Sequence, residues 1–333
     1  MELGGSGEVT AGRCSASSLR ATTFVSTPRS PMTARDTTID LAHLGRPRSV
    51  ACRLLETTAG PVLVDPGPGS TLATLTAALD GLGVALTDLA AVLLTHIHFD
   101  HAGVTGTLVA AHPGLPVYVH AVGARHLADP SRLIASATRI YGDRMDALWG
   151  PILAVPVARL HPLVGGETVR IGERAFVVRD TPGHAVHHVT YLDETDGTAY
   201  VGDVAGLRFS PVDVVLPVTP PPDFDHTTWL ASLDVVEALA PARLFVTHFG
   251  MSDNPVAHLA QLRVGLEAWS ATARLLLVEP GTDAERADRF HALVLASIAD
   301  RLTPVQRESV ATFSDFRASF HGLARHWRTM TPG

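Results

Sequence analysis

Residues Thr95, His96, Ile97, His98, Phe99, Asp100 and His101 place four groups able to bind a transition metal within six positions, directly after the apolar run 89–94. A run of that length reads as a buried strand, so the histidines fall where a strand ends and a loop begins. A strand end is a rigid platform, and the loop that follows can turn side chains of both parities toward one point. With His and Asp each at about one residue in twenty, an H-x-H-x-D-H pattern arises by chance in only a few chains per thousand of this length. The stretch therefore reads as part of a metal site, and the rest of the chain has to fold so as to complete it.

The remaining composition narrows what can complete it. A chain of 333 residues, 46% hydrophobic and 18% charged, is long and apolar enough to bury a large core. Its net charge of −7 argues against nucleic acid or an anionic membrane as partner. No apolar run approaches the roughly 20 residues of a membrane span. Cysteine occurs only at Cys14 and Cys52, which excludes a disulfide framework and a cysteine-based zinc module. A metal must be held by imidazole and carboxylate. Residues 1–36 are dominated by Gly, Ser, Thr and Ala and lack the apolar core of a signal peptide. They read as a disordered extension, with Met32 as a second candidate start and the cytoplasm as the expected compartment.

From Thr38 the pattern becomes regular. Strands are predicted over 39–44, 49–56 and 61–65, the last two as a hairpin running into the breaker cluster Asp65-Pro66-Gly67-Pro68-Gly69. Ser70 is placed to cap a helix that carries Leu72, Leu75, Leu79 and Leu82 on one face. After the histidine stretch come a helix over 104–111, a strand over 117–120 and a helical insertion over 121–149. Hairpins follow over 168–178 and 187–201, then a helix over 227–239 and a last strand over 243–247. Hairpins and long helices together point to an α/β fold, two mixed sheets with helices outside. From Asp253 the chain reads as helix, with Pro255 at a helix start, a Thr282/Glu285 capping box, and a further helix from Thr303. The stripe Phe313, Phe316, Phe320, Leu323 and Trp327 keeps helical spacing and reads as packing.

Three later residues share the setting of the first four. His184 follows the strand 176–179, Asp203 follows 198–201, and His248 follows 244–247, each with a glycine one or two positions away. Ends of several strands converging on one edge are the usual place for a site in layered α/β folds. With these residues, with Asp65-Pro66-Gly67 and with Pro182-Gly183-His184, the sequence over about 38–250 resembles the metallo-β-lactamase superfamily of hydrolases, in its glyoxalase-II-like or lactonase-like branch.

That resemblance implies an αββα sandwich over 37–252, an added helical segment over 253–333, and a two-metal centre on one edge of the sandwich. It implies that His96, His98 and His184 hold one ion, that Asp100, His101 and His248 hold the other, and that Asp203 bridges them. Asp100 and Asp203 are then the catalytic carboxylates. Zinc is the expected metal, with iron or manganese compatible with the same donors. The implied reaction is hydrolysis of a small-molecule ester, lactone or thioester by hydroxide activated at the two ions. Asp65 is the candidate to orient a ligand imidazole. His187 and His188, on a predicted strand, should point to opposite faces. Tyr141, Met145, Trp149, Phe209 and Phe249 are candidates for an apolar pocket beside the metals. The absence of a tyrosine just after Asp203 departs from the lactonase pattern, and no basic cluster marks a glutathione carboxylate site. A phosphodiesterase, an iron-dependent persulfide dioxygenase and a non-catalytic metal-containing binding protein stay open as alternatives. A homodimer is compatible with the helical tail.

Overall fold

Along β4 (Ala91–Leu93), Ala91 and Leu93 enter one apolar cluster while Val92 enters another. Successive side chains of a strand point to opposite faces, so a strand apolar at every position must be covered on both. The fold meets this requirement with four layers. The computed structural model describes Met1 and residues 36–209, 214–304, 306–307, 310 and 315–330. The extension proposed over 1–36, apart from Met1 and Asp36, lies outside the described residues, as does Phe313.

The first sheet has the order β1 (Thr37–Asp40), β2 (Ala51–Leu55), β3 (Val62–Val64), β4, β5 (Val117–His120) and β6 (Leu160–Leu163). It is antiparallel from β1 to β3 and parallel from β3 to β6. The second sheet runs β14 (Gly250–Ser252), β13 (Arg243–Val246), β10 (Thr198–Tyr200), β9 (Val189–Asp193), β8 (Arg174–Asp180) and β7 (Thr168–Ile171). Its β10–β13 pair is parallel and the rest antiparallel. A small ribbon, β11 (Leu207–Phe209) with β12 (Val214–Leu216), stands apart from both.

Between the sheets, Val62, Val64 and Leu93 pack on Phe176, Tyr191 and Phe245. Outside the first sheet, α1 (Leu72–Gly81) and α3 (Thr105–Ala111) supply Leu75, Leu79 and Leu108, and α2 (Phe99–Ala102) is the single turn carrying Asp100 and His101. Helices α4 (Ala121–Ala128), α5 (Ser131–Tyr141) and α6 (Met145–Trp149) form the insertion. Outside the second sheet, α7 (His226–Ala238), α8 (Pro255–Val278), α9 (Asp283–Ile298) and α10 (Arg317–Met330) share one core with Trp229, Leu262, Phe290 and Phe320. This is the αββα sandwich, extended by C-terminal helices. No helix of the described residues is long and apolar enough to cross a membrane.

Several local expectations change. The first strand stops at Asp40, because its carboxylate accepts the Ala42 and Arg48 N–H groups and turns the chain. Ser70 does not cap α1; its hydroxyl donates to Leu148 O at 2.7 Å and ties down the insertion. Strand β9 starts at Val189, so His187 and His188 sit in the turn before it. Strands β6, β11, β12 and β14 join the predicted set. The Thr282/Glu285 capping box is present, with Thr282 N–H donating to Glu285 Oε2 at 2.7 Å.

The segment that follows the insertion is docked by close backbone approach. A Cβ added at Gly106 in α3 would lie 2.0 Å from Leu153 O. Alanine raises helix propensity by about 1 kcal/mol over glycine, but overpacking against an immovable carbonyl costs about 1–3 kcal/mol. Gly106→Ala is therefore expected to lower the urea midpoint with an unchanged slope; a midpoint at or above that of the parent would contradict this packing.

Candidate metal centre

The site lies where β4, β8, β10 and β13 end. A strand-to-strand link sets the relative position of those ends: Val189 N–H donates to Thr95 O at 2.8 Å, and Ala51 N–H to Thr247 O at 2.8 Å. The loop after β4 carries His96 and His98, the turn α2 carries Asp100 and His101, and the turn after β8 carries His184. Asp203 follows β10 behind Gly202, where a Cβ would fall 2.3 Å from Thr95 Oγ1 and 2.8 Å from His188 Nε2. Only glycine lets that turn close on the site, and its φ of 43° is in the left-handed region.

The structure brings all seven sequence-derived candidates together. His96 Nε2 and His184 Nε2 lie 2.9 and 3.0 Å from His98 Nδ1. His248 Nε2 lies 3.3 Å from Asp100 Oδ2, and His101 Nε2 4.0 Å from the same oxygen. Asp203 stands between the two groups, with Oδ2 3.4 Å from His184 Nε2 and Oδ1 3.2 Å from His101 Nε2. Among the described residues, the His, Cys, Asp and Glu groups able to hold a metal consist of these seven residues alone.

Two observations show that the donors fit divalent ions. Donor atoms at about 2.0–2.1 Å from a shared tetrahedral ion lie about 3.3 Å apart, close to the 2.9, 3.0 and 3.3 Å spacings found here, with the His101–Asp100 pair wider at 4.0 Å. Further, His101 Nε2 and Asp203 Oδ1 are buried and, although close, have no aligned hydrogen-bond partner. Buried polar atoms are rarely left so, and a cation between them would satisfy both.

The far side of four of the five rings is fixed. His101 Nδ1 donates to Asp65 Oδ2 at 2.9 Å, His184 Nδ1 to Val218 O at 2.8 Å, and His248 Nδ1 to Ser49 O at 2.7 Å. His96 Nδ1 lies 3.2 Å from Thr95 Oγ1, whose hydroxyl donates to Asp65 Oδ2 at 2.7 Å. In these four rings the acceptor assigns the proton to Nδ1, so the Nε2 lone pair faces the site; His98 instead turns Nδ1 toward His96 and His184. Asp65 thus has the orienting role anticipated for it. Thr95, Thr247, Ser49 and Val218 were not anticipated. The repeated Thr-His pair at 95–96 and 247–248 was a signal for the first two; the last two act through backbone carbonyls.

His188 supports the Asp203 turn. Its Nε2 accepts the Val204 N–H at 3.4 Å and its Nδ1 lies 2.9 Å from Thr181 Oγ1. His187 is buried with its ring 5.6 Å from that of His98, and its Nε2 is 3.8 Å from Asp223 Oδ2. Both rings approach His96, since a turn does not alternate faces as a strand does. Of the apolar candidates, Tyr141 and Trp149 form a wall with Phe99, centroids 5.3 and 6.0 Å apart in sequence. Phe249 instead packs on the inter-sheet core under Arg48, and Phe209 on the C-terminal core.

Electrostatics divides the site in two. Burial, with His101 and its other neighbours, pushes the His96 imidazole well down; burial, with His184, pushes His98 down to about 3. Burial also lowers His184 against the pull of Asp203. For His101 and His248 burial works the same way, but the carboxylates Asp203 and Asp100 outweigh it and raise both. Burial opposes ionisation of Asp203, yet His101, His248 and His184 hold it well below the carboxylate range.

A family model described as the metallo-beta-lactamase superfamily matches residues 45–248. A metallo-beta-lactamase fold-containing protein of Sulfurisphaera tokodaii is 28% identical over 176 residues, 51% of this chain and 65% of the relative. A hydroxyacylglutathione hydrolase of Bdellovibrio bacteriovorus is 30% identical over 149 residues, 45% of each chain. The chain thus spans about half to two thirds of the length of these curated relatives. The solved structure of a metallo-beta-lactamase family protein from Thermus thermophilus superposes with a TM-score of 0.62 at 22% identity, covering 84% of this chain and 88% of that one.

Protons and metal compete for the raised histidines. Loading the metal-free protein with a divalent ion at neutral pH is expected to release protons from His101 and His248. As pH falls, the ion beside Asp100, His101 and His248 should leave first, because His96, His98 and His184 bind protons reluctantly. Dialysis at graded pH with elemental analysis tests this; two ions leaving together would refute the division.

Proposed function

This chain belongs to the metallo-β-lactamase superfamily, and on that premise we propose that it is a metal-dependent hydrolase cleaving an ester, lactone or thioester bond of a small molecule. The observation that carries the reading is Asp203, whose two carboxylate oxygens face two different donor groups. In this reading His96, His98 and His184 hold one ion, Asp100, His101 and His248 the other, and Asp203 is shared. Zinc suits five imidazoles and two carboxylates, and iron or manganese is compatible. When bound, such ions supply Lewis acidity and lower the pKa of water to about 7.

The protein's own groups do the rest. Asp100 and His248, with side chains 24% and 17% exposed, and the partly exposed His98 are the part of the site that reaches solvent, so substrate enters over them. Burial disfavours the Asp100 carboxylate, but His101 and His248 hold its pKa below the usual range, and it stays an acceptor for the hydrogen of an attacking water. Tyr141 is pushed up by burial and by Asp100 and stays a neutral phenol, able to donate to a substrate oxygen. The wall of Phe99, Tyr141 and Trp149 favours an uncharged, partly apolar substrate. The match to hydroxyacylglutathione hydrolases supports an acyl bond rather than a phosphodiester. The composition, acidic and with two cysteines, supports the cytoplasm as the working compartment.

Elemental analysis of the purified protein is expected to give two divalent ions per chain, with turnover on an ester, lactone or thioester panel. Asp203→Ala should lose metal and activity together. A fully active Asp203→Ala, or a single iron with oxygen uptake, would reject the reading.

A further inference from the structure

The segment 217–225 runs between His184 and helix α10, which are far apart in sequence. On one side, the Val218 carbonyl accepts from His184 Nδ1 at 2.8 Å, and Asp225 N–H donates to Gly183 O at 2.9 Å. On the other side, Thr219 is fully buried and bonds twice to Ser319: its hydroxyl donates to Ser319 O at 3.0 Å, and its N–H to Ser319 Oγ at 3.4 Å. Three residues along the same helix, Gly322 presses on the same residue. A Cβ there would lie 2.0 Å from Thr219 O and 2.9 Å from the carbonyl carbon of Pro220. Successive carbonyls of one strap are thus each fixed by a different partner, Val218 O by the imidazole and Thr219 O by the helix. Farther on, Phe224 packs on His326 of α10 with centroids 5.5 Å apart. Trp229, at the start of α7, meets the His184 ring edge-on at 5.6 Å.

We propose that α10 is a positioning element of the metal centre, in which Ser319 and Gly322 set the Val218 carbonyl and, through it, the direction of the His184 lone pair. This rests on reading His184 as a metal ligand. The physical reason is that a ligand imidazole is oriented by the acceptor on its far nitrogen, and a carbonyl moves only with its backbone. The backbone here is clamped by two hydrogen bonds and by a contact that only glycine allows. Loss of such a partner typically weakens metal binding by about 10–100-fold.

The test uses the full chain as Gly322→Ala and Ser319→Ala, with Val294→Ala in α9 as a variant that disturbs the same C-terminal core without touching the strap. Zinc affinity is measured by chelator competition, and the visible spectrum is recorded after cobalt loading. Gly322→Ala is expected to weaken one of the two ions about 10–100-fold, leave the other nearly unchanged, and alter the cobalt spectrum. Ser319→Ala should shift the same ion in the same direction, which covers the case in which Gly322→Ala does not fold. Val294→Ala should lower the melting temperature and leave both affinities alone. Parental affinities in folded Gly322→Ala and Ser319→Ala, or an equal loss in Val294→Ala, would overturn the proposal. A parent chain that binds fewer than two ions would instead overturn the metal-centre reading itself.

Discussion

The buried carboxylate of Asp65 is the constraint on which the arrangement of the site depends. It is fully buried, and an unpaired carboxylate there would cost several kcal/mol. Four donors meet it: the Thr95 N–H at 2.9 Å, the Thr95 hydroxyl at 2.7 Å, His101 Nδ1 at 2.9 Å and the Thr247 hydroxyl at 2.8 Å. These come from the ends of β4 and β13, which belong to different sheets, and from α2. Satisfying one charge therefore brings the two sheets into register at this edge. Asp65 itself takes a left-handed φ of 48°, which Asp tolerates better than most residues. Asp65 thereby serves both the fold and the orientation of the site.

Acceptors on the far side of four of the five histidines differ in kind. His101 faces a carboxylate, whereas His184 and His248 face carbonyls and His96 a hydroxyl. A carboxylate makes its imidazole the more basic partner. Depth does not separate the two groups: His96, His184 and His101 are buried, whereas His98 is partly exposed. In the group of raised affinity, Asp100 and His248 are partly exposed.

Much of this was legible in the sequence because the donors sit at strand ends, and strand ends are marked by apolar runs closing on Gly, Pro or Asp. That logic holds for His96, His98, His184, Asp203 and His248. It fails where the chemistry lies in the backbone: the Ser49 and Val218 carbonyls carry no side-chain signature. Strand β6 escaped notice because His161 and Pro162 interrupt its apolar pattern, which an edge strand tolerates. Local spacing predicts Ser70 as a cap, but its hydroxyl serves a residue 78 positions away. The hairpin pattern predicts His187 and His188 on a strand, but they lie in the turn between β8 and β9, where His188 is held by Thr181 and the Val204 N–H.

The bonds that orient the histidines close very large loops: Thr247 to Asp65 spans 182 residues, and His248 to Ser49 spans 199. Such contacts come late, since their loop-closure entropy is paid before they return anything. A nascent or half-folded chain thus has the His96–His101 cluster but not its counterpart. The complete donor set exists only once both sheets have docked. Assembly of the centre is in this sense a checkpoint on the whole topology, and the order in which metal and chain meet becomes a property of the fold.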